Sequence, residues 1–127
     1  MFACQKFRYH TEETRSFINE LQDEDDWLVV MDRIDKPTLV QAGAANCQPC
    51  NMIKPLILKA VRAKAGQVEY LWIDVEEFQE IAMMLRVSSI PQILMVKKGK
   101  LIGEFKGIPA DAETTINELI EKSLKED

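Results

Sequence analysis

Polar and apolar positions along the chain follow two alternating periods. Phe17, Asn19 and Leu21 alternate weakly with polar neighbours, which predicts a first strand over Thr14 to Leu21. In DEDDWLVVMDRIDK, residues 23–36, Trp27, Val30, Met31 and Ile34 fall on one helix face, and acids crowd the end where the helix dipole favours them. Pro37 stops that helix, and TLVQA reads as a short buried strand ending at Gly43. From Cys47, the positions Ile53, Leu56, Ile57, Ala60 and Val61 trace a second helical stripe, closed by Lys64 and Gly66 and carrying an internal, kink-forming Pro55.

VEYLWID then forms a nearly continuous apolar run, the signature of a strand covered on both faces. Phe78, Ile81, Ala82 and Leu85 make a third helical stripe. After Pro91, QILMV and LIGEF are strands joined at KKGK, a hairpin signal containing Gly99. Asp111 is a good N-cap for a last helix that presents Ile116, Leu119, Ile120 and Leu124 to a core. The order β-α-β-α-β-α-β-β-α predicts an α/β fold: a central mixed β-sheet flanked by helices, parallel in its early strands, with an antiparallel hairpin at one edge.

A length of 127 residues, 46% of them hydrophobic, suits one domain with its own core. No linker or repeat divides it, so the expected division is an N-terminal extension, 1–13, and a domain over 14–127. A formal charge of −5 gives no footing for nucleic acid, and no apolar run approaches the roughly 20 residues that span a bilayer. Cysteines at 4, 47 and 50 are too few and too unevenly spaced for a secreted disulfide scaffold. A reducing compartment, the cytoplasm, fits best. Lys6, Arg8 and Arg15 give the opening a weak likeness to a transit peptide, which Glu12 and Glu13 spoil.

The chemistry gathers at GAANCQPCNMIKP, residues 43–55, where a strand's carboxyl end passes into a helix, the place where open α/β sheets set their sites. The C-x-P-C of Cys47 to Cys50, the MIKP after it with Pro55, the ID ending at Asp74, the Ile90-Pro91 dipeptide, and glycines 99 and 107 resemble the thioredoxin family in order and spacing over roughly residues 14–124. The resemblance implies a thioredoxin-like fold and a cis Pro91 that faces the cysteine pair and helps form a substrate groove. Asn46, Gln48, Pro49, Ile90 and Pro91 are the expected substrate-binding residues, and Cys47 and Cys50 the catalytic ones.

At a helix N-terminus the thiolate of Cys47 is favoured, which makes it the expected nucleophile. Cys50, three residues on and less accessible, is placed to attack a mixed disulfide on Cys47. Pro49 fits the first turn, where a missing N–H costs nothing. Four positions depart from the family pattern. Asn46 and Gln48 stand where the family usually has Trp and Gly. Gln41 stands where a buried Asp is proposed to accept the resolving proton, and Tyr70 where a lysine often pairs with that Asp. Without that carboxylate, Cys50 must lose its proton to water or to the leaving thiolate. Ordinary structural substitution is the simpler reading of Gln41, Tyr70 and Asn46, and they receive no catalytic role. Trp27 and Trp72 read as packing residues, and Lys97, Lys98 and Lys100 as a solvated hairpin tip guarding an edge strand.

A zinc set of Cys4, His10, Cys47 and Cys50 matches no common ligand spacing, so neither metal nor cofactor is expected. Two functions are consistent with the residues. One is a thiol–disulfide oxidoreductase acting on protein disulfides, its cycle closed by a disulfide reductase. The other is a non-catalytic thioredoxin-like subunit of a larger assembly, resembling the light chains of axonemal dynein. The retained cysteine pair favours the first.

Overall fold

The structure, a computed structural model, describes residues 18–21, 23, 27 and 36–126. Its strands are β1 (Ile18–Glu20), β2 (Thr38–Gly43), β3 (Glu69–Asp74), β4 (Gln92–Lys97) and β5 (Lys100–Lys106), and its helices α1 (Gln48–Ala63), α2 (Gln79–Met84) and α3 (Ala112–Lys125). The strands form one sheet in the order β1-β3-β2-β4-β5. β1 and β2 flank β3 in parallel, β4 runs antiparallel to β2, and the β4–β5 hairpin forms one edge. This is the expected mixed sheet of an α/β fold. The helix expected over 23–36 lies mostly outside the described residues, although Trp27 within it is helical and buried. The proposed extension, 1–13, lies wholly outside them.

Alternation along the three inner strands, β3, β2 and β4, builds two cores. Leu39, Tyr70, Trp72, Ile93 and Met95 face α1 and α3, where Ile53, Ile57, Val61, Ile116 and Ile120 meet them. Val40, Leu71, Ile73, Leu94 and Val96 point to the opposite face and pack with Trp27, Phe78 and Ile81. A strand covered on both faces can be apolar at every position, which is why VEYLWID shows no alternation. Leu119 and Leu124 of the expected α3 stripe are only partly buried, and Ser123 takes a fully buried place between them.

Local chemistry sets the boundaries. The Asp111 side chain accepts from Thr114 N at 3.2 Å and starts α3. After α1, the chain turns through positive φ at Ala65 and Gly66. Lys98 and Gly99 have φ of 53° and 73°, the pair of left-handed residues that a two-residue hairpin turn requires.

Lys97 corrects the reading of the hairpin lysines. Its Nζ donates to Ser123 O at 3.2 Å and to Glu126 O at 2.5 Å, so it satisfies carbonyls at the end of α3 where no further helical N–H follows. Lys98 and Lys100 remain exposed. Lys97→Met should lower the unfolding free energy by about 1–2 kcal/mol, whereas Lys100→Met should change it by less than about 0.5 kcal/mol. Urea denaturation of the two variants checks this, and equal effects would show that Lys97 holds nothing.

Candidate active site

β2 ends at Gly43, whose carbonyl accepts Val75 N at 2.9 Å, so the loops leaving β2 and β3 are tied together at the sheet's edge. The chain then turns through Ala44 to Asn46 into α1. Cys47 is the N-cap: its backbone is extended (φ −85°, ψ 107°) and its Sγ accepts from Cys50 N at 3.2 Å. Sulfur thus occupies the place that serine or aspartate oxygen usually takes, facing helix N–H groups that otherwise have no partner. Negative charge on this sulfur would meet one of those N–H groups and the positive end of the helix dipole.

The two cysteines are joined as a disulfide, with their Cα atoms 5.2 Å apart. They are unequal. Cys47 is half-buried, while Cys50 is fully enclosed in the core between sheet and helix. Around Cys47, Ala45, Asn46, Gln48 and Pro49 are exposed and uncharged. Ala42 pairs with Gln92, and one step further along that antiparallel register sets Pro91 beside Gly43, where the cysteine loop departs. The Ile90-Pro91 bond is cis, and Ile90 packs against the same core as Cys47. Gln92 holds this segment: its Oε1 accepts Ser88 N at 3.1 Å, and its Nε2 donates to Glu104 Oε1 at 2.8 Å.

Beneath the disulfide lies a polar chain in an otherwise apolar layer. Tyr70 Oη donates to Gln41 Oε1 at 2.8 Å, and Gln41 Nε2 donates to the Cys50 carbonyl at 3.0 Å. Gln41 and Tyr70 are both fully buried. Burial, and secondarily the charge of Glu20, push the phenol well above its usual range, so the pair stays neutral. Gln41 and Tyr70 are therefore more than drifted positions: they satisfy each other and join β2 and β3 to α1. Sequence reasoning saw the two residues and missed the bond between them.

It also missed Gly43 and Trp72. A Cβ atom at residue 43 would stand 2.8 Å from Cys50 Sγ and 2.8 Å from Trp72 Cη2, closer than side-chain atoms pack. The indole therefore reaches diagonally from its register position opposite Gln41 into the space above Gly43, and its benzo edge and the resolving sulfur both border that space. On the ring's face sits Lys54, with Nζ 5.0 Å from the centroid. A glycine ending a buried strand beside a tryptophan-bearing neighbour was the only available signal. Among the described residues no group of three or more His, Cys, Asp or Glu side chains could hold a metal ion. Cys4 and His10 lie outside them.

A cysteine pair bridging the start of a helix, at the carboxyl edge of a mixed five-stranded sheet, defines the dithiol–disulfide class of α/β proteins. The Thioredoxin family model matches residues 18–122. Human thioredoxin is 38% identical over 87 residues, which make up 68% of this chain and 82% of that protein. The oxidized form of mitochondrial thioredoxin 3 from Saccharomyces cerevisiae superposes with a TM-score of 0.71 at 26% identity, over 82% of this chain and 93% of that one. Reduced Schistosoma mansoni thioredoxin gives 0.71 at 26% identity, over 85% and 99%. The chain belongs to the thioredoxin family.

Tyr70→Phe removes the donor to a buried amide oxygen and should cost about 1–3 kcal/mol. Adding Gln41→Leu should cost less than the single losses predict, because both polar partners then leave together. Tyr70 keeps its proton more tightly folded than unfolded, so its stabilisation is complete below about pH 10 and declines as pH rises above it. That decline should be absent from Tyr70→Phe. Urea titrations of the oxidised proteins across pH 8 to 11 measure both effects, and strict additivity of the two substitutions would show that the pair does not act together.

Proposed function

We propose that this protein is a thiol–disulfide oxidoreductase acting on protein disulfides, with Cys47 as the attacking sulfur and Cys50 as the resolving one. The observation that carries this reading is the asymmetry of the pair: Cys47 is a half-buried N-cap facing helix N–H groups, and Cys50 is sealed in the core. Its membership of the thioredoxin family supports it. No relative reported above favours the alternative of a non-catalytic assembly subunit.

In the reduced protein, the Cys47 thiolate attacks one sulfur of the partner's disulfide. A bond forms between them and the partner's other sulfur leaves with the electron pair. Cys50 loses its proton and attacks Cys47 Sγ, which closes the intramolecular disulfide and releases the second partner thiolate. Both released thiolates take protons from water. The partner is reduced by two electrons and the cysteine pair is oxidised by two, so a disulfide reductase is needed to restore the dithiol.

The exposed Asn46, Gln48 and Pro49 with the half-buried Ile90 form the neutral contact surface for the partner, and Pro91, buried behind Ile90, shapes it through its cis bond. No cofactor takes part in the exchange itself. The working domain spans 14–127, residues 1–13 form an extension, and the reducing chemistry suits the cytoplasm.

Cys50→Ser should trap a partner as a stable mixed disulfide on Cys47, while Cys47→Ser should trap none. Limiting alkylation of the reduced protein should label Cys47 first. Trapping through Cys50 in the Cys47→Ser variant would reverse the roles. Because Gln41 cannot accept a proton, Gln41→Asp should speed decay of the mixed disulfide severalfold and raise the pH at which Cys47 becomes reactive. Acid-quenched single turnovers measure both steps, and unchanged decay would mean that proton removal does not limit resolution.

A further inference from the structure

Resolution needs a thiolate on Cys50, and its surroundings oppose one. Cys50 is fully buried, and burial disfavours charge. The side chain beneath it is the Gln41 amide, whose oxygen already accepts the Tyr70 hydroxyl and whose nitrogen is turned to the Cys50 carbonyl. Neither Gln41 nor Tyr70 offers a base or a positive charge to the sulfur. Asp74, paired in register with Gly43, has its carboxylate bound to the N–H groups of Glu76 and Glu77. From α3 the apolar Ile116, Leu119, Ile120 and Leu124 join the core cluster that holds Cys50, and from β4 Ile93 and Met95.

The compensating charge comes from outside the ring. Lys54 stands four residues after Cys50, on the same face of α1, and its ammonium lies over the indole of Trp72. The far edge of that indole and the Cys50 sulfur both come within 2.8 Å of the point where a Cβ of Gly43 would be. An aromatic ring is negative on its faces and positive at its edge. A cation on the face draws electron density toward itself and makes the edge a better neighbour for an anion. We infer that Lys54, acting through the Trp72 ring, stabilises the Cys50 thiolate during resolution. Gly43 makes this arrangement possible, since any side chain there would push ring and sulfur apart.

The proposal rests on the oxidoreductase reading for its role in turnover, and its electrostatic core is separately measurable. Lys54 is only partly buried and is not placed in the exchange machinery, so its substitution should not disturb folding. In single turnovers, Lys54→Met should leave formation of the Cys47 mixed disulfide unchanged and slow its decay roughly three- to tenfold near neutral pH, the effect of one charge acting across a ring. Lys54→Arg, which keeps a cation over the ring, should restore decay to within about twofold of the native rate. Slowing by Met and Arg alike, equal slowing of attack and decay, or no slowing would each overturn the inference.

A second measurement does not depend on turnover. In protein carrying Cys4→Ser and Cys47→Ser, the ultraviolet absorbance of the Cys50 thiolate should appear about half to one pH unit higher with Lys54→Met than with Lys54 present. Coincident titrations would overturn the inference even if the protein reduces disulfides. A shifted titration in a protein that forms no mixed disulfide would keep the electrostatic assignment and remove the oxidoreductase reading.

Discussion

The amide of Gln41 joins the central strand to the helix that carries both sulfurs. β2 can hold α1 in register by apolar packing alone only loosely, because dispersion between Ile53, Ile57 and the sheet has no preferred direction. A hydrogen bond from Gln41 Nε2 to the Cys50 carbonyl supplies the direction. It acts on the carbonyl of the residue whose sulfur must be aimed, within the first turn of the helix. Tyr70 then fixes which way the amide faces, since its hydroxyl donates and so claims the oxygen. Two neutral side chains from neighbouring strands thereby set where α1 begins and, with it, where Cys47 becomes the N-cap.

Neutrality is part of that solution. A buried charge needs a partner of opposite charge, and removing one member of such a pair leaves the other at high cost. Gln41 and Tyr70 satisfy each other without either being ionised, and the phenol's raised titration range keeps it so. The consequence is felt at the sulfurs. Electrostatic help for Cys47 comes from the helix end, and nothing comparable reaches Cys50 from below. The volume that Gly43 leaves vacant is filled from the adjacent strand by Trp72, and this exchange of a side chain between neighbouring strands sets the indole and the buried sulfur on either side of one small space.

Much of this was legible in the sequence, for a definite reason. Helix periods report which face of α1 and of α3 is buried, and the apolar runs of β2 and β3 report strands covered on both faces. C-x-P-C at a strand-to-helix junction reports a site because cysteine alone supplies an exchangeable sulfur, and at a helix start that sulfur meets free N–H groups. What stayed hidden depends on pairs far apart in the chain. Gln41 and Tyr70 are 29 residues apart and look like unrelated polar intrusions until the register of β2 against β3 sets them side by side. Lys97 looked like one of three solvated lysines because the carbonyls it serves belong to α3, 26 and 29 residues on. Residue spacing reports local geometry well and says little about which distant side chain will fill a gap.

Departures from the family pattern are of two kinds. Asn46 and Gln48 lie on the exposed rim beside Cys47, where a substitution changes what a partner touches and leaves the core intact. Gln41, Gly43, Tyr70 and Trp72 lie on one sheet face beneath α1, in contact with one another, where each residue constrains the next. A carboxylate in place of Gln41 would need a donor from Tyr70 and would turn a neutral buried pair into a charged one. A larger residue in place of Gly43 would expel Trp72 or displace the disulfide. The four positions therefore behave as one substituted unit, coherent in volume and in charge, and the chemistry at the sulfurs follows from the unit as a whole.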